Sequence, residues 1–456
     1  MKKKIYKPKR AYSSGLHLVI PFFVALGVLT VVGFLIPLRP TQSSLEKRNL
    51  AKFPEFSVEA LVSGSYFDDI TTWYADTFPG REKWIALSSR ISDLHGHSDI
   101  TIQGDLPLQE EPQTIPTRPR EEPADTTVPS EVPDPSDMAD IPDGEGETTP
   151  ISTEEPPEIE LGAVIQIGDA AYNYQGFSKS ESEHYAGVLN KLSELVKESG
   201  ARVISAPAPT AVGIMVDPAY LEALNCAPQD EIIAYMHAGL NEDVVAVDTY
   251  HAMIDHNDEY LYFRTDHHWT ALGAYYAYRG ICEALDYEPA PLESFTVWDQ
   301  GEFEGSIYWQ ASHPRKLKLD TVYAYVPQGD ITHRVYGNER SSGMEKPLLD
   351  DMTHREKNTK YLTFICSDNP LSIITNESLP DAPNCVLVKD SFGNALAPFL
   401  TQNYHKVYVV DYRKFYAQKL FHLVKEQNIQ DVIIAPYLTA TQSIQGNDLL
   451  HGLCNW

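Results

Sequence analysis

Residues 384–400 read NCVLVKDSFGNALAPFL. Val386–Val388 close an apolar strand, Lys389 and Asp390 make a turn, and Phe392–Leu400 has the composition of a helix that starts at once. A strand that feeds a helix through so short a turn belongs to an α/β unit, and it leaves the intervening side chain, Ser391, exposed at the strand's carboxyl end. Backbone N–H groups near such a turn point where an oxyanion would form, so Ser391 is a candidate nucleophile. Asp390 and Ser391 are equally ordinary helix caps, and on this stretch alone both readings stand.

The neighbouring sequence repeats the alternation. KVYVVD (406–411) and DVIIAPY (431–437) are strand-like and flank a helical stretch near Tyr416–Gln427. Upstream, GAVIQIG (162–168) and ARVISAPAP (201–209) read as strands. Between them Tyr185, Leu189, Leu192 and Val196 fall on one face of a helix over Ser180–Ser199. DEIIAYMHAGL (230–240) then precedes the strand DVVAVD (243–248). The expected fold is α/β, a parallel sheet flanked by helices, with Asp286–Asn358 irregular and rich in aromatics.

A partner for the serine is sought in YFRTDHHWTA (262–271). If Tyr260–His268 is extended, side chains alternate, so Arg264, Asp266 and His268 share a face and His267 points away. A carboxylate that holds one imidazole tautomer is the support a serine nucleophile needs, which makes Asp266 and His268 candidates for orienting acid and general base. Arg264 and Asn394 are candidate oxyanion or supporting residues. Thr270 is placed to cap a helix whose Leu272, Tyr275, Cys282 and Leu285 form one stripe. Two alternatives stay open: a metal site, for which no H-x-H, H-E-x-x-H or CxxC partner is present, and a buried polar corner with Trp269 in the core. No metal or cofactor is expected.

Charge and hydropathy divide the rest. Of the net charge of −28, the stretch Gln103–Glu160 supplies about half, with 17 Asp or Glu against two Arg, and it holds 12 of the 32 prolines. Too few large apolar residues remain there to offset the entropy of ordering, so 103–160 is expected to be a disordered linker or insertion. An acidic chain of this kind does not suit nucleic acid as partner. At the start, MKKKIYKPKR carries six Lys or Arg, and Leu16–Leu38 follows with no Asp, Glu, Lys or Arg. As a helix those residues would reach about 34 Å, enough to cross a hydrocarbon core of about 30 Å, with the basic tail retained in the cytoplasm. The expected division is a basic tail at 1–15, a transmembrane helix at 16–38, a helical segment packing on the main domain at 39–102, the linker, and an α/β domain at 161–456. Within 39–102, Phe67, Ile70, Trp73 and Tyr74 have helical spacing, FPGR (78–81) breaks it, and Trp84, Leu87 and Ile91 resume it. The five cysteines are widely spaced and imply no disulfide framework. Cys366 and Cys385 read as small core residues.

RTDHHWT, KDSFGNALAPFL, EKRNL, FPGR and FEGSIY together resemble the DHHW protein family, which is similar to the SGNH-hydrolase-like proteins of alginate O-acetylation. In those relatives an Asp-x-His-Trp signature precedes a serine, and the pattern falls on Asp266, His268, Trp269 and Ser391, with His267 at the variable position. The resemblance implies a permuted SGNH-hydrolase-like fold and acyl transfer through serine, with Trp269 in support. It also implies a multi-pass membrane O-acyltransferase as acetyl donor and a cell-surface polysaccharide as acceptor, while water as acceptor, which makes an acetylesterase, and a catalytically silent carbohydrate-binding scaffold stay open. The basic tail and apolar run add the expectation of a single-pass cell-membrane protein whose C-terminal domain is extracellular.

Overall fold

The computed structural model describes residues 39–43, 48–54, 56–57, 61, 65–78, 81, 100–103, 115–117, 163–311, 314–337, 343–416 and 418–454. The expected transmembrane helix and most of the acidic stretch lie outside the described residues, as does the expected helix around Trp84–Ile91. Among the described residues no helix is long and apolar enough to cross a membrane. The chain divides into two units, Met1–His97 and Ser98–Trp456. In the first, β1 (Gln42–Ser43) pairs with β2 (Arg48–Asn49), and a helix spans Ser65–Asp76 where the aromatic spacing predicts one. Arg39 lies over its Trp73 ring at 4.1 Å and donates to Thr77 Oγ1 at 2.9 Å.

The second unit begins with β3 (Ile100–Gln103), which pairs antiparallel with β4 (Val164–Ile167), and β4 pairs with β5 (Ala170–Asn173). Gln103 is opposite Val164, so the acidic stretch is an insertion between two paired strands. One residue inside it, Ile115, packs against the main core.

The main sheet is built from β6 (Arg202–Ser205), β7 (Val244–Ala246), β10 (Ile331–Tyr336), β11 (Met344–Glu345), β12 (Leu371–Asn376), β13 (Asn384–Lys389), β14 (Lys406–Asp411) and β15 (Asp431–Ala435). Its order among the described residues is β11-β10-β12-β14-β13-β15-β6-β7. From β14 to β7 the strands are parallel, but β12 joins β14 antiparallel, as do β10 and β11 beyond it. The expected all-parallel sheet is therefore corrected to a mixed one. Burial along the strands gives the reason. Residues 385–389 and 431–435 are buried without interruption, which suits parallel strands covered on both faces. β12 alternates between buried and half-buried, which suits an antiparallel strand with one wetter face.

Helices cover both faces. Ile204, Leu387, Val407, Val409 and Ile433 point into one core, which holds the helices Ala271–Ala284 and Gly393–Leu400. Val203, Val386, Val388, Val410, Val432 and Ile434 point into the other, under Lys179–Val196, Gln229–Ala238, Leu420–Glu426 and Ile444–Cys454. Each aliphatic side chain so buried contributes about 1.5–3 kcal/mol, so the strand alternation seen in the sequence is also the main source of cohesion.

The region expected to be irregular carries four strands among its loops and 3-10 turns. β8 (Thr296–Phe303) and β9 (Asp320–Val326) form an antiparallel hairpin, followed by β10 and β11. A register shift between Asp299 and Glu302, with Gly301 at φ 89°, breaks the period of two that would have marked β8.

Candidate active site

Ser391 lies two residues past the end of β13, on the turn that enters the helix Gly393–Leu400. The turn is tight because Gly393 has no side chain: a Cβ there would stand 2.3 Å from the Cβ of Lys389. Asp390 braces the turn. Its Oδ1 accepts from Phe392 N–H at 3.0 Å and its Oδ2 from Tyr437 N–H at 2.8 Å, which ties the turn to the end of β15. Burial raises the Asp390 carboxyl above its ordinary range, against the pull of Arg413 and the two N–H donors. Neither the Asp390 nor the Ser391 side chain caps the helix, and the hydroxyl of half-buried Ser391 is left for another partner.

That partner is His268. Its Nε2 is 2.6 Å from Ser391 Oγ and its Nδ1 is 2.5 Å from Asp266 Oδ1. Both oxygens of Asp266 are engaged, Oδ1 also accepting from the His268 N–H at 3.0 Å and Oδ2 from Ser306 N–H at 2.7 Å. A carboxylate at Nδ1 accepts from the ring N–H and so holds the proton on Nδ1, which leaves Nε2 as the acceptor for a hydroxyl proton. Asp266 and His268 are 2 % and 6 % exposed. Among the described residues nothing accepts from the Ser391 backbone N–H, which is available to an oxyanion.

The expected extended run Tyr260–His268 is a loop closed by one bridge between Tyr262 and Trp269. The carboxylate of Asp320, at the start of β9, turns it: it accepts from the N–H groups of Arg264 and Thr265, from Thr265 Oγ1 at 2.5 Å and from the Tyr260 hydroxyl at 2.6 Å. Arg264 braces the loop. Its guanidinium is 3.4 Å from Asp320 and lies over the Tyr260 ring. His267 does not point away as strand alternation requires. Its ring is 3.8 Å from that of His268, and its Nδ1 is 2.7 Å from Ser306 Oγ. Thr270 caps the helix Ala271–Ala284 as expected. Trp269 is in the core and also joins the two halves of the site, donating from Nε1 to the carbonyl of Phe392 at 2.9 Å.

The side-chain amide of Asn394 is engaged by an acid, with Nδ2 donating to Asp368 at 2.9 Å. Asp368 also receives Lys389 Nζ at 2.8 Å and Arg413 Nη2 at 2.9 Å, and Asp411 receives Arg413 and Lys389. Asp368 follows three consecutive left-handed residues, Ile365, Cys366 and Ser367. Cys366, expected in the core, is therefore half-exposed, whereas Cys385 is fully buried. Burial alone would raise Asp368 and Asp411, but the Lys389 and Arg413 charges more than offset it and hold both carboxyls low, Asp368 well below the usual range. A carboxyl lowered in the fold stabilises it above the unfolded value and loses that contribution as pH falls through the folded value. The thermal midpoints of the parent and Asp368→Asn should differ most above about pH 5 and converge as pH falls below about 4. A gap that is constant with pH would show that the pair contributes nothing through its charge.

Asp266, His267 and His268 place ligand-type atoms within 4.8 Å of one another. Two ligands on a tetrahedral ion at about 2.0–2.1 Å stand about 3.3 Å apart. The 2.5 Å between Asp266 and His268 is the spacing of a shared proton.

The profile of the DHHW protein family matches residues 46–116 and 130–410. The chain belongs to the DHHW family. Among solved structures this DHHW chain is similar to a DHHW family protein from Eubacterium siraeum, at 25 % identity and a TM-score of 0.58 over 66 % of this chain and 99 % of that one. It is also similar in fold to PatB1 of Bacillus cereus, solved with a sulfonyl adduct, at 17 % identity and 0.52 over 61 % and 95 %. The O-acetyltransferase domain of Pseudomonas putida AlgJ matches at 13 % identity and 0.36 over 62 % and 96 %. No curated protein matches the chain. The Asp-His-His-Trp motif that names the family lies at Asp266–Trp269, within the matched span.

Sequence reasoning missed Ser306, Asp320, Tyr361 and Asp368. Of these only Ser306 carried a signal, as part of FEGSIY. Gly305 in the same motif is there for closeness: a Cβ would stand 2.3 Å from that of Asp266 and 2.4 Å from the Thr265 carbonyl.

Proposed function

We propose that this DHHW protein is a membrane-anchored, extracytoplasmic acyl-transfer protein that O-acetylates a cell-surface polysaccharide through Ser391, His268 and Asp266. The observation that carries the reading is the unbroken hydrogen-bonded series from Asp266 Oδ1 through the imidazole to Ser391 Oγ. His268 Nε2 takes the hydroxyl proton as Ser391 Oγ attacks the acetyl carbonyl, and the Ser391 N–H receives the developing oxyanion. Asp266 stabilises the imidazolium. The C–O bond to the leaving group then breaks, and His268 returns the proton to that group. In the second half a sugar hydroxyl gives its proton to His268 and attacks the acetyl-serine carbonyl, the bond from that carbonyl to Ser391 Oγ breaks, and His268 returns the proton to Ser391 Oγ.

The order Asp, His, Ser along the chain is that of a permuted SGNH-like fold. The sulfonyl adduct of PatB1 supports a nucleophile in a protein of this fold, since sulfonyl groups are captured by activated hydroxyls. The basic tail and the apolar run at 16–38 support an anchor that leaves the α/β domain outside the cell, where a multi-pass membrane O-acyltransferase would present the acetyl group. The test gives full-length protein an acetyl ester and a panel of polysaccharides and reads acetylated sugar and free acetate separately. Serine-dependent acetylated sugar is the expected result. Free acetate alone would make the protein an esterase. No turnover, together with no labelling of Ser391 by a sulfonyl fluoride, would reject acyl transfer.

A further inference from the structure

We infer that Tyr361 is a positioning residue that holds His268 and Ser391 at once, stacking on the imidazole and tethering the carbonyl of the serine; this rests on the acyl-transfer reading above. Tyr361 lies in the 3-10 turn Lys357–Thr363, in a stretch whose sequence gives no sign of it. Its ring is 4.1 Å from that of His268 and nearly parallel, at 13°. Its hydroxyl donates to the Ser391 carbonyl at 2.9 Å. One side chain thus touches both members of a pair separated by 123 positions in sequence.

The ring is itself held. Phe364 and Phe263 meet it edge-on at 5.2 and 6.2 Å, and the side chain is buried. Burial first, and then the carboxyls of Asp266, Asp368 and Asp390, push the phenol well above its ordinary range, so it remains a donor wherever an ester assay is run. Two consequences follow. The tether fixes the backbone of the turn, which keeps Ser391 Oγ within reach of Nε2. The electron-rich face favours the imidazolium that forms when His268 takes the serine proton. The other groups facing His268 are Asp266 at Nδ1, Ser391 at Nε2, the His267 ring at 3.8 Å and the Phe392 ring at 5.0 Å. Asp266 and His267 are the titratable ones, and neither is altered by a change at Tyr361.

The two contacts separate in two variants of the full-length protein. Tyr361→Phe keeps the stacked ring and loses the tether. It should lower kcat on p-nitrophenyl acetate about 3–10-fold, the worth of one hydrogen bond, with the acid limb of the pH–rate profile unmoved. Tyr361→Leu loses both contacts. Its rate should fall further, and its acid limb should move to lower pH because the imidazolium is less favoured. Tyr361→Met, whose unbranched and flexible side chain adapts to an irregular space, replaces the leucine variant if that one does not fold. Parent-level activity in Tyr361→Phe would overturn the tether, and an acid limb that is unmoved or raised in the variants without a ring would overturn the stack. Ser391→Ala separates this from the parent reading: if ester turnover does not depend on Ser391, acyl transfer fails. A 15N-histidine NMR titration of His268 then still decides the stack, which stands if the midpoint drops without the ring and falls if it does not.

Discussion

Ser391→Ala is expected to lower ester turnover about a thousandfold or more, with His268→Ala and the double variant losing about the same amount and not the product of the two. Non-additivity is the signature of groups that act as one unit, and the geometry puts them in one: the serine proton has a single described acceptor, His268 Nε2, at 2.6 Å. Without Ser391 there is no covalent intermediate, and without His268 the hydroxyl keeps its proton. The residual rate comes from binding and from the Ser391 N–H, which alanine retains. His267→Ala should cost far less, about tenfold. His267 contacts the face of the reacting imidazole and Ser306, whose N–H holds Asp266, but it lies outside the proton path. The measurement is kcat/KM on an activated acetyl ester, with the rate of sulfonyl fluoride labelling as a second reading on the same variants. Equal losses in His267→Ala and His268→Ala, both folded, would leave the choice of base open. Full activity in Ser391→Ala would remove the acyl-enzyme.

What the sequence made legible follows a physical divide. The strands of the parallel half and the helices around them could be read because their apolar periods persist over six or more residues, as in 384–389 and 406–411. Asp266, His268 and Ser391 are candidates in the sequence because a nucleophile needs particular residue types in supporting positions, and their side chains lie within hydrogen-bond reach of one another. Strand alternation is nevertheless not what pairs Asp266 with His268. The two share no strand face; a loop brings the Asp266 carboxylate back onto the His268 N–H and ring. The residues that turn that loop come from 286–358 and just beyond, where a bulge in β8 and short 3-10 turns hide any period. Arg264 is a candidate through the supposed strand face and Asn394 through nearness to the serine, but an acid pairs with each of them, Asp320 and Asp368. Which donor a buried carboxylate takes is decided by long-range contacts, and a single sequence does not contain them.

Asp320→Ala is the second large effect expected, on stability and activity together. The carboxylate is 1 % exposed and accepts from two backbone N–H groups and two hydroxyls of the segment Tyr260–Thr265, immediately before Asp266. Its removal leaves those donors in a space that alanine cannot fill, at about 1–3 kcal/mol for each one left unpaired, and Arg264 loses its counter-charge. Part of this returns when the loop relaxes, so the net expected loss is about 3–5 kcal/mol, read as the drop in unfolding free energy by urea. Asp320→Asn should lose about half as much. One oxygen survives to accept, and burial raises the Asp320 carboxyl above its ordinary range, so a neutral side chain escapes a desolvation penalty that the carboxylate bears. Activity discriminates further. If Asp320 does no more than hold the fold, the asparagine variant, assayed well below its melting point, should turn over ester at the parent rate. If it sets the loop that aims Asp266 at His268, kcat should drop at least tenfold with KM little changed, because a shift of about 1 Å in the orienting carboxylate is felt in the transition state more than in binding. The second outcome is expected, since Thr265, gripped by Asp320, also accepts from Gly305 N–H and donates no freedom to the residue that follows it, Asp266.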